Sequence, residues 1–175
     1  MSLHDELLNT ARSLVRVPSP TDGDLRRAIS TAYYALFHRL VDAAVNHLLP
    51  THADDQRAGL GRAFEHTKMR DICQRVGTLA KQPNPTPNPP SARILGSKIP
   101  VELRNIAACF VELQQRRSEA DYDRVSPLPN SFKVAQDAIK QVETAFADWT
   151  QFEASEPVLA QAFLVLLLTG EPKAR

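Results

Sequence analysis

The sequence predicts an all-α protein, folded as an antiparallel bundle of about five to six helices. Apolar residues recur at intervals of three and four through most of the chain, which is the periodicity of amphipathic helices. Alternating runs of Val, Ile, Thr or Tyr, which indicate strands, are nearly absent, and only 6 glycines are present for tight turns. With 175 residues, 43% of them apolar and 23% charged, the composition suits one hydrophobic core. We therefore expect residues 1–175 to form a single domain.

Proline and capping residues delimit the first two helices. The spacing of Leu and Ala side chains predicts a first helix over Leu3–Val15, which stops before Pro18 because proline disfavours helix at the residue preceding it. Thr21 or Asp22 can cap a second helix, which we expect over about Asp24–Leu49. Its apolar stripe is broad enough to pack against more than one neighbouring helix.

The middle of the chain combines a long helical pattern with a proline-rich segment. We expect a third helix that begins at Asp54 or Asp55 and ends at Lys81. Residues 82–93 are predicted to form an extended surface loop, because Gln82–Pro90 holds five prolines and proline lacks the backbone N–H that helices and central strands need. The loop could separate two domains, but neither side alone can close a core. We interpret it as a connection inside one domain.

Three more helices are predicted in the second half of the chain. Pro100 suits the first turn of a fourth helix, where a missing backbone N–H costs nothing, and the run Arg116–Tyr122 continues this helix or directly follows it. A fifth helix is expected from Ser131 to about Phe152, and a sixth over about Pro157–Gly170.

Charge, cysteine use and hydropathy point to the cytoplasm. The net charge is +1, so no strong field attracts nucleic acid or a membrane. The N-terminus carries acids where a signal peptide needs basic residues and an apolar run. The most apolar segment, Val158–Leu168, spans 11 residues and is too short to cross a bilayer. Cys73 and Cys109 lie in apolar helical surroundings, as core thiols of a reducing compartment do. We therefore expect a cytoplasmic protein without a membrane partner.

Basic and acidic residues are unevenly spread along the chain. The range Arg57–Arg75 holds five basic and two acidic residues, whereas Asp137–Glu156 holds five acidic residues and one lysine. A basic side can thus exist on a nearly neutral protein. Ordinary solvated helix faces are the alternative explanation.

Several classes of site have no motif in the sequence. It contains no Walker loop, no Gly-rich dinucleotide turn and no nucleophile elbow. It also contains neither a His-Glu-x-x-His pattern nor a Cys/His cluster at zinc spacing. We therefore expect no cofactor and no metal site.

The second helix carries the first group of candidate site residues. Arg27, Thr31, Tyr34 and His38 are spaced four, three and four apart, which places them on one helical face. This face can bind a ligand, or its polar groups can be satisfied by internal hydrogen bonds.

Two further groups lie on later helices. Arg62 and His66 are four apart, so one face could offer a guanidinium for a phosphate and an imidazole for proton transfer, or simply a surface pair. Arg117 and Asp121 are also one turn apart and can form an ion pair that orients the guanidinium for an anion; Tyr122 follows directly. A salt-bridged helix end is the alternative for this last group.

The residues of the first and third groups resemble the HEPN domain family (higher eukaryotes and prokaryotes nucleotide-binding). The run Arg27-Ala-Ile-Ser-Thr-Ala-Tyr-Tyr-Ala-Leu-Phe-His38 is similar to the second helix of many members. The later run Arg117-Ser-Glu-Ala-Asp121-Tyr122 resembles the Arg-x-x-Ala-Asp-Tyr motif of one bacterial branch, and His66 falls between the two runs. The resemblance covers roughly residues 24–152.

The resemblance implies a helical bundle that forms homodimers and belongs to bacterial toxin–antitoxin or phage-defence systems, with RNA, a nucleotide or an antitoxin-like protein as partner. Many relatives are metal-independent ribonucleases marked by an arginine and a histidine with four to six residues between them. That spacing is missing here, because Arg62 and His66 have three residues between them, and Arg39 and His47 have seven.

Two functions follow from these residues. The first is a non-catalytic module whose cleft holds a nucleotide, an RNA phosphate or a partner protein, and whose lining would be Arg27, Tyr34, His38, His66, Arg117, Asp121 and Tyr122. The second is a divergent ribonuclease, in which arginine stabilises the pentacovalent phosphate and histidine moves the proton of the 2′-hydroxyl. Its catalytic candidates are His38, His66 and Arg117. We favour the first, because the Arg/His motif is missing and the net charge is close to zero.

Overall fold

A computed structural model of the protein describes residues 1–82, 89–96, 98–123 and 131–171, and every regular element in these ranges is an α-helix. The all-α prediction is confirmed for these residues. The helices are α1 (Leu3–Arg16), α2 (Asp22–Leu48), α3 (Asp54–Gly61), α4 (His66–Lys81), α5 (Pro90–Leu95), α6 (Val101–Tyr122), α7 (Ser131–Ser155) and α8 (Pro157–Thr169).

The single third helix of the prediction is wrong, because the chain breaks between α3 and α4. Gly59 and Gly61 stand two residues apart at the end of α3, and each glycine weakens a helix by about 1 kcal/mol relative to alanine. Phe64, inside the break, is only 6% exposed. Burial of this ring stabilises the break between α3 and α4, and α4 begins two residues after Phe64.

The predicted loop over residues 82–93 is wrong at its C-terminal end. Pro90 begins α5, with proline in the first turn where its missing N–H costs nothing. The backbone N–H of Ser91 donates to Oε1 of Glu171 at 3.0 Å, so a residue 80 positions away satisfies a free donor of this short helix. Residues 83–88 of the predicted loop lie outside the described residues.

The chain divides into two compact units. The first unit comprises Met1–Arg39 and Cys109–Ala147, and the second comprises Leu40–Ala108 and Asp148–Arg175. Helices α2, α6 and α7 each contribute a segment to both units. The single-domain prediction over residues 1–175 stays a prediction.

The first unit is built from α1 and segments of α2, α6 and α7. Its α2 and α6 segments run antiparallel, because Arg26 reaches the last turn of α6 whereas the ring of Tyr33 lies 5.5 Å from that of Phe110 earlier in the helix. Helix α1 meets α7 through His4, whose ring packs edge-on against Phe146 at 5.5 Å. Tyr33 and Phe110 are fully buried and form the centre of this core.

The N-terminus of α2 is capped by Thr21, one of the two capping residues that the sequence predicts. The Thr21 hydroxyl accepts a hydrogen bond from the backbone N–H of Asp24 at 3.1 Å. The Asp24 carboxylate accepts in return from the backbone N–H of Thr21 at 2.9 Å and from its hydroxyl at 2.7 Å. This reciprocal capping box fixes where α2 begins.

The second unit places α4, α5 and α8 in mutual contact. Its largest buried side chains are Leu40, Met69, Ile72, Leu79, Leu103, Trp149, Phe152 and Phe163. No described helix of the chain is long and apolar enough to span a membrane. The predicted core positions of the cysteines are confirmed, since Cys73 and Cys109 are both buried free thiols.

Candidate functional site

The predicted site residues fall into both units. Six of the seven predicted ligand-binding residues belong to the first unit, namely Arg27, Tyr34, His38, Arg117, Asp121 and Tyr122. His66, the seventh, belongs to the second unit. The first unit alone therefore carries the group that can be described as one site.

Arg117 is the centre of a polar cluster at the C-terminal end of α6. Its Nη2 group donates a hydrogen bond of 2.8 Å to the Tyr34 hydroxyl on α2. Its Nε atom lies 2.8 Å from Oδ2 of Asp121, one turn later on α6. The N–H at Nε is buried but not aligned for a hydrogen bond to a described acceptor, so we describe the contact with Asp121 as an ion pair. The predicted pairing of Arg117 with Asp121 is present.

Asp121 is itself held by a residue of α2. The Ser30 hydroxyl donates to Oδ1 of Asp121 at 2.5 Å, while the other carboxylate oxygen faces Arg117. Ser30 is 2% exposed and the Asp121 side chain is 28% exposed. The carboxylate is therefore fixed from two sides, and this limits the orientations open to the Arg117 side chain.

Two tyrosine rings flank the guanidinium. The Cζ atom of Arg117 lies 5.3 Å from the ring centre of Tyr34 and 5.9 Å from that of Tyr122. Both distances are within the range of cation–π attraction. Tyr122 is 70% exposed. We call Ser30, Tyr34, Arg117, Asp121 and Tyr122 the Arg117 cluster.

Opposing effects set the pKa of Arg117. Burial lowers the pKa of its guanidinium, but the charges of Tyr34, Asp121 and Tyr122 together outweigh this and leave the pKa above its ordinary value. Asp121 lies 2.8 Å from the Nε atom and is one of the groups that stabilise the charge of Arg117.

Arg117 keeps donors for a further oxyanion. Asp121 and Tyr34 lie at Nε and Nη2, which together form one edge of the planar guanidinium. The Nη1 group makes no hydrogen bond to any residue within the described ranges, and 21% of the side chain is exposed. The free end of the guanidinium can donate two parallel hydrogen bonds to a phosphate or carboxylate.

Arg27 and His38 do not join the hydrogen bonds of Arg117. Arg27 is exposed, and it makes no hydrogen bond or ion pair with another described residue. His38 is half-buried, and its ring packs edge-on against Phe37 at 5.3 Å. The predicted shared face of α2 thus contributes Tyr34 to the cluster.

The predicted pairing of Arg62 with His66 on one helix is wrong. Arg62 ends α3 as its C-terminal cap, and His66 is the first residue of α4. The break around Phe64 separates the two residues, so four-residue spacing no longer places them on one face. Arg62 is exposed and His66 is half-buried.

Sequence reasoning missed two contributors from α2. Ser30 holds Asp121, and Arg26 donates to the backbone at the end of α6. A signal was present, since Asp22, Arg26, Ser30 and Tyr34 are polar residues spaced four apart. This spacing predicts a common face.

A separate cavity of about 380 Å³ opens in the first unit between α1 and α7. It is lined by Met1, Asp5, Leu8, Asn9, Arg12, Glu143 and Phe146. Three of its polar side chains pair with one another, because Arg12 donates to Glu143 and to Asn9, both at 2.8 Å. None of the predicted site residues lines this cavity.

Neither a metal site nor a comparison with known proteins identifies what the Arg117 cluster does. Within the described part of the chain, no group of three or more His, Cys, Asp or Glu side chains could hold a metal ion. No family model, curated protein or solved structure matches this chain. The Arg117 cluster must therefore be interpreted from its own chemistry.

Proposed function

We propose that this chain is an HEPN-like helical module that binds the phosphate of RNA or of a nucleotide without cleaving it, and that Arg117 binds the anion. The observation that carries the proposal is the guanidinium of Arg117, oriented by Asp121 and Tyr34 with one end left for a ligand. Arginine suits this role because its rigid fork matches two oxygens of a phosphate.

Pre-organisation of Arg117 favours binding. A flexible surface arginine loses side-chain entropy of about 0.5–1.5 kcal/mol when a ligand immobilises it. The ion pair with Asp121 and the hydrogen bond to Tyr34 already restrict the Arg117 side chain in the free protein. Less entropy then remains to be lost on binding.

Asp121 also weakens long-range attraction, because its carboxylate neutralises the charge beside it. The net charge of +1 adds no strong field. We therefore propose a short-range, directional site that takes one phosphate group and does not attract the whole backbone of a nucleic acid.

Tyr122 provides a surface for the rest of the ligand. Its ring is 70% exposed and lies beside the Arg117 guanidinium. An exposed aromatic ring beside a phosphate-binding group is the arrangement on which nucleic-acid bases stack, with about 1–3 kcal/mol per base. The pair therefore favours a nucleotide or single-stranded RNA over inorganic phosphate.

The divergent ribonuclease of the sequence interpretation receives less support. Acid–base cleavage needs a proton-transfer group near the reacting phosphate. The described hydrogen-bond and ion-pair partners of Arg117 are Tyr34 and Asp121, and neither is a histidine. The Arg/His spacing of the ribonucleases is also missing from the sequence, so we prefer binding without cleavage as the function of this cluster.

The binding test uses fluorescence anisotropy with a labelled oligouridylate of about ten nucleotides, in low salt and with a chelator. We expect the wild-type protein to bind and Arg117→Ala to lose on the order of ten- to hundredfold in affinity, which corresponds to about 1.5–3 kcal/mol for hydrogen bonds to a charged group. Arg117→Lys keeps the charge but not the fork, so it should restore only part of the affinity.

Arg116 supplies the matched control. It precedes Arg117 on α6, pairs with Glu112 at 2.5 Å, and its side chain is 25% exposed against 21% for Arg117. Arg116→Ala removes the same charge from the same helix and should leave affinity nearly unchanged. Equal losses in the two variants, or no binding by folded wild-type protein, would refute the proposal. Cleavage of the RNA in chelator would favour the ribonuclease instead.

Self-association and partner proteins belong to the same proposal but rest on the HEPN resemblance alone. A homodimer, an antitoxin-like partner and a role in toxin–antitoxin or defence systems are what that resemblance implies. Light scattering of the purified chain tests the dimer directly, since a monomeric mass across the concentration range used for RNA binding would exclude it.

A further inference from the structure

Three successive turns of α2 contact the C-terminal end of α6 through polar side chains. Asp22, Arg26, Ser30 and Tyr34 are spaced four apart, and we call them the polar stripe of α2. Ser30 donates to the Asp121 carboxylate, and the Tyr34 hydroxyl accepts from Arg117. Arg26 acts on the backbone at the end of α6, and Asp22 pairs with Arg26.

Arg26 binds the carbonyl oxygens at the end of α6. Its Nη1 group lies within hydrogen-bond distance of the carbonyls of Glu119, Ala120 and Asp123, at 3.4, 3.1 and 2.7 Å. The last four carbonyls of a helix have no partner within the helix. A positive side chain there also complements the negative end of the helix dipole. Arg26 therefore caps α6 from a neighbouring helix.

Asp22 holds Arg26 in this position. Its Oδ2 atom accepts from Nε of Arg26 at 2.5 Å, one turn earlier on α2. The Arg26 side chain is 17% exposed, so its charge is largely shielded from water. An arginine held in this way is more rigid than a solvated one.

We infer that Arg26 is a positioning residue for the phosphate site. It fixes the last turn of α6, which carries Asp121 and Tyr122, and through Asp121 it fixes the orientation of Arg117. This inference rests on the proposed function of the Arg117 cluster. The hydrogen bonds of Arg26 to the carbonyl oxygens of Glu119, Ala120 and Asp123 act on the backbone of α6, and their effect on Arg117 is indirect.

A stabilising cap and a positioning residue predict different results. A cap that only stabilises α6 lowers the melting temperature without changing Arg117 in the protein that remains folded. A positioning residue changes the Arg117 side chain in folded protein at low temperature. The resonance of the Nε–H group of Arg117 separates these cases, because this group is buried beside Asp121 and its exchange with water reports whether the side chain keeps that position.

The experiment follows this resonance in protein labelled with ¹⁵N-arginine, with Arg117→Lys used to assign it. In wild-type protein we expect slow exchange of the Arg117 Nε–H. Arg26→Gln should accelerate that exchange at a temperature well below its melting point, and should weaken oligouridylate binding by on the order of tenfold. Arg26→Lys should restore both, since an ammonium group can donate to the same carbonyls.

Arg16→Gln is the control, because Arg16 is an exposed arginine of α1 in the same unit, lies outside the predicted site residues, and makes no hydrogen bond or ion pair with a described residue. It should leave exchange and affinity as in wild-type protein. Folded Arg26→Gln with unchanged exchange would overturn the inference. If Arg26→Gln does not fold, Asp22→Asn removes only the carboxylate that holds Arg26 and should show the same changes in smaller measure; unchanged exchange there overturns it.

The two proposals fail differently in this design. Wild-type protein that binds no oligouridylate refutes the phosphate site, whereas the exchange measurement still shows whether Arg26 positions Arg117. If the wild-type protein binds oligouridylate and the exchange of the Arg117 Nε–H is unchanged in Arg26→Gln, only the positioning role is refuted.

Discussion

The Ser30 hydroxyl donates a hydrogen bond to Asp121 at 2.5 Å and joins two residues 91 positions apart in the sequence. The bond connects the third turn of α2 with the last turn of α6, and its acceptor also forms the ion pair with Arg117. Through this hydrogen bond the pair of Arg117 and Asp121 on α6 is also attached to α2. It also makes Ser30 the residue whose removal tests the cluster most simply.

Ser30→Ala should lower the stability of the protein by about 1 kcal/mol, because one hydrogen bond is lost and the partly exposed Asp121 oxygen turns to water. For a chain of this size the melting temperature should fall by about 2–4 °C. Thermal unfolding followed by circular dichroism measures this. Ser118→Ala, an exposed serine of α6, is the control and should change little. A larger effect of Ser118→Ala would contradict the assignment.

The Thr21 cap of α2 should also contribute to stability. Thr21→Val removes the hydroxyl that accepts from the Asp24 backbone N–H while keeping the side-chain volume. Loss of a helix N-cap costs about 1 kcal/mol. Urea unfolding at neutral pH checks this, and Thr21→Ser, which keeps the hydroxyl, should behave as wild type. Equal stability of the valine and serine variants would show that the cap is not used.

The same cap predicts a pH dependence with a defined sign. Hydrogen bonds from the side chain and backbone of Thr21 hold the pKa of Asp24 below its ordinary value. A carboxyl whose pKa is lower in the folded state stabilises the fold above the unfolded pKa, and the stabilisation disappears as the pH falls through the folded pKa. Asp24→Asn should thus be less stable than wild type at pH 7, and the difference should shrink below about pH 4. A stability difference between the two proteins that grows as the pH falls would contradict this prediction.

RNA binding through Arg117 should depend only weakly on salt. Each phosphate neutralised on a single strand contributes about −0.7 to the slope of log K against log salt concentration. A site that takes one phosphate should therefore give a slope near −1 or shallower in anisotropy titrations across salt concentrations. A slope of several units would indicate a broad basic surface, such as the range Arg57–Arg75, in place of the Arg117 cluster.

The core of the second unit should be sensitive at Phe163. Its ring is fully buried in α8, and replacing a buried phenylalanine by alanine costs about 3–5 kcal/mol. Val158, on the same helix, is 80% exposed, so Val158→Ala should change stability by only about 0.5 kcal/mol. Urea unfolding of the two variants compares them directly. Similar losses would mean that α8 is oriented differently from the structure described.

The helices follow from the sequence wherever local patterns decide them. The starts of α1, α2, α7 and α8 lie within a few residues of those predicted from apolar spacing, prolines and capping residues. The break before α4 was missed, because it depends on where Phe64 finds a buried position. Helix α5 was missed because Glu171, far away in sequence, completes its first turn.

The candidate site likewise has a part that the sequence predicts and a part that it does not. The ion pair between Arg117 and Asp121 was predictable, because four-residue spacing on a helix brings two side chains together whatever the rest of the chain does. The roles of Ser30 and Arg26 were not, because their partners lie more than 90 residues away. By itself the sequence determined which residues can share a helical face. Only the packing of α2 against α6 decided which of those faces meet, since such contacts depend on the shapes of two separate surfaces, and spacing along one helix does not specify them.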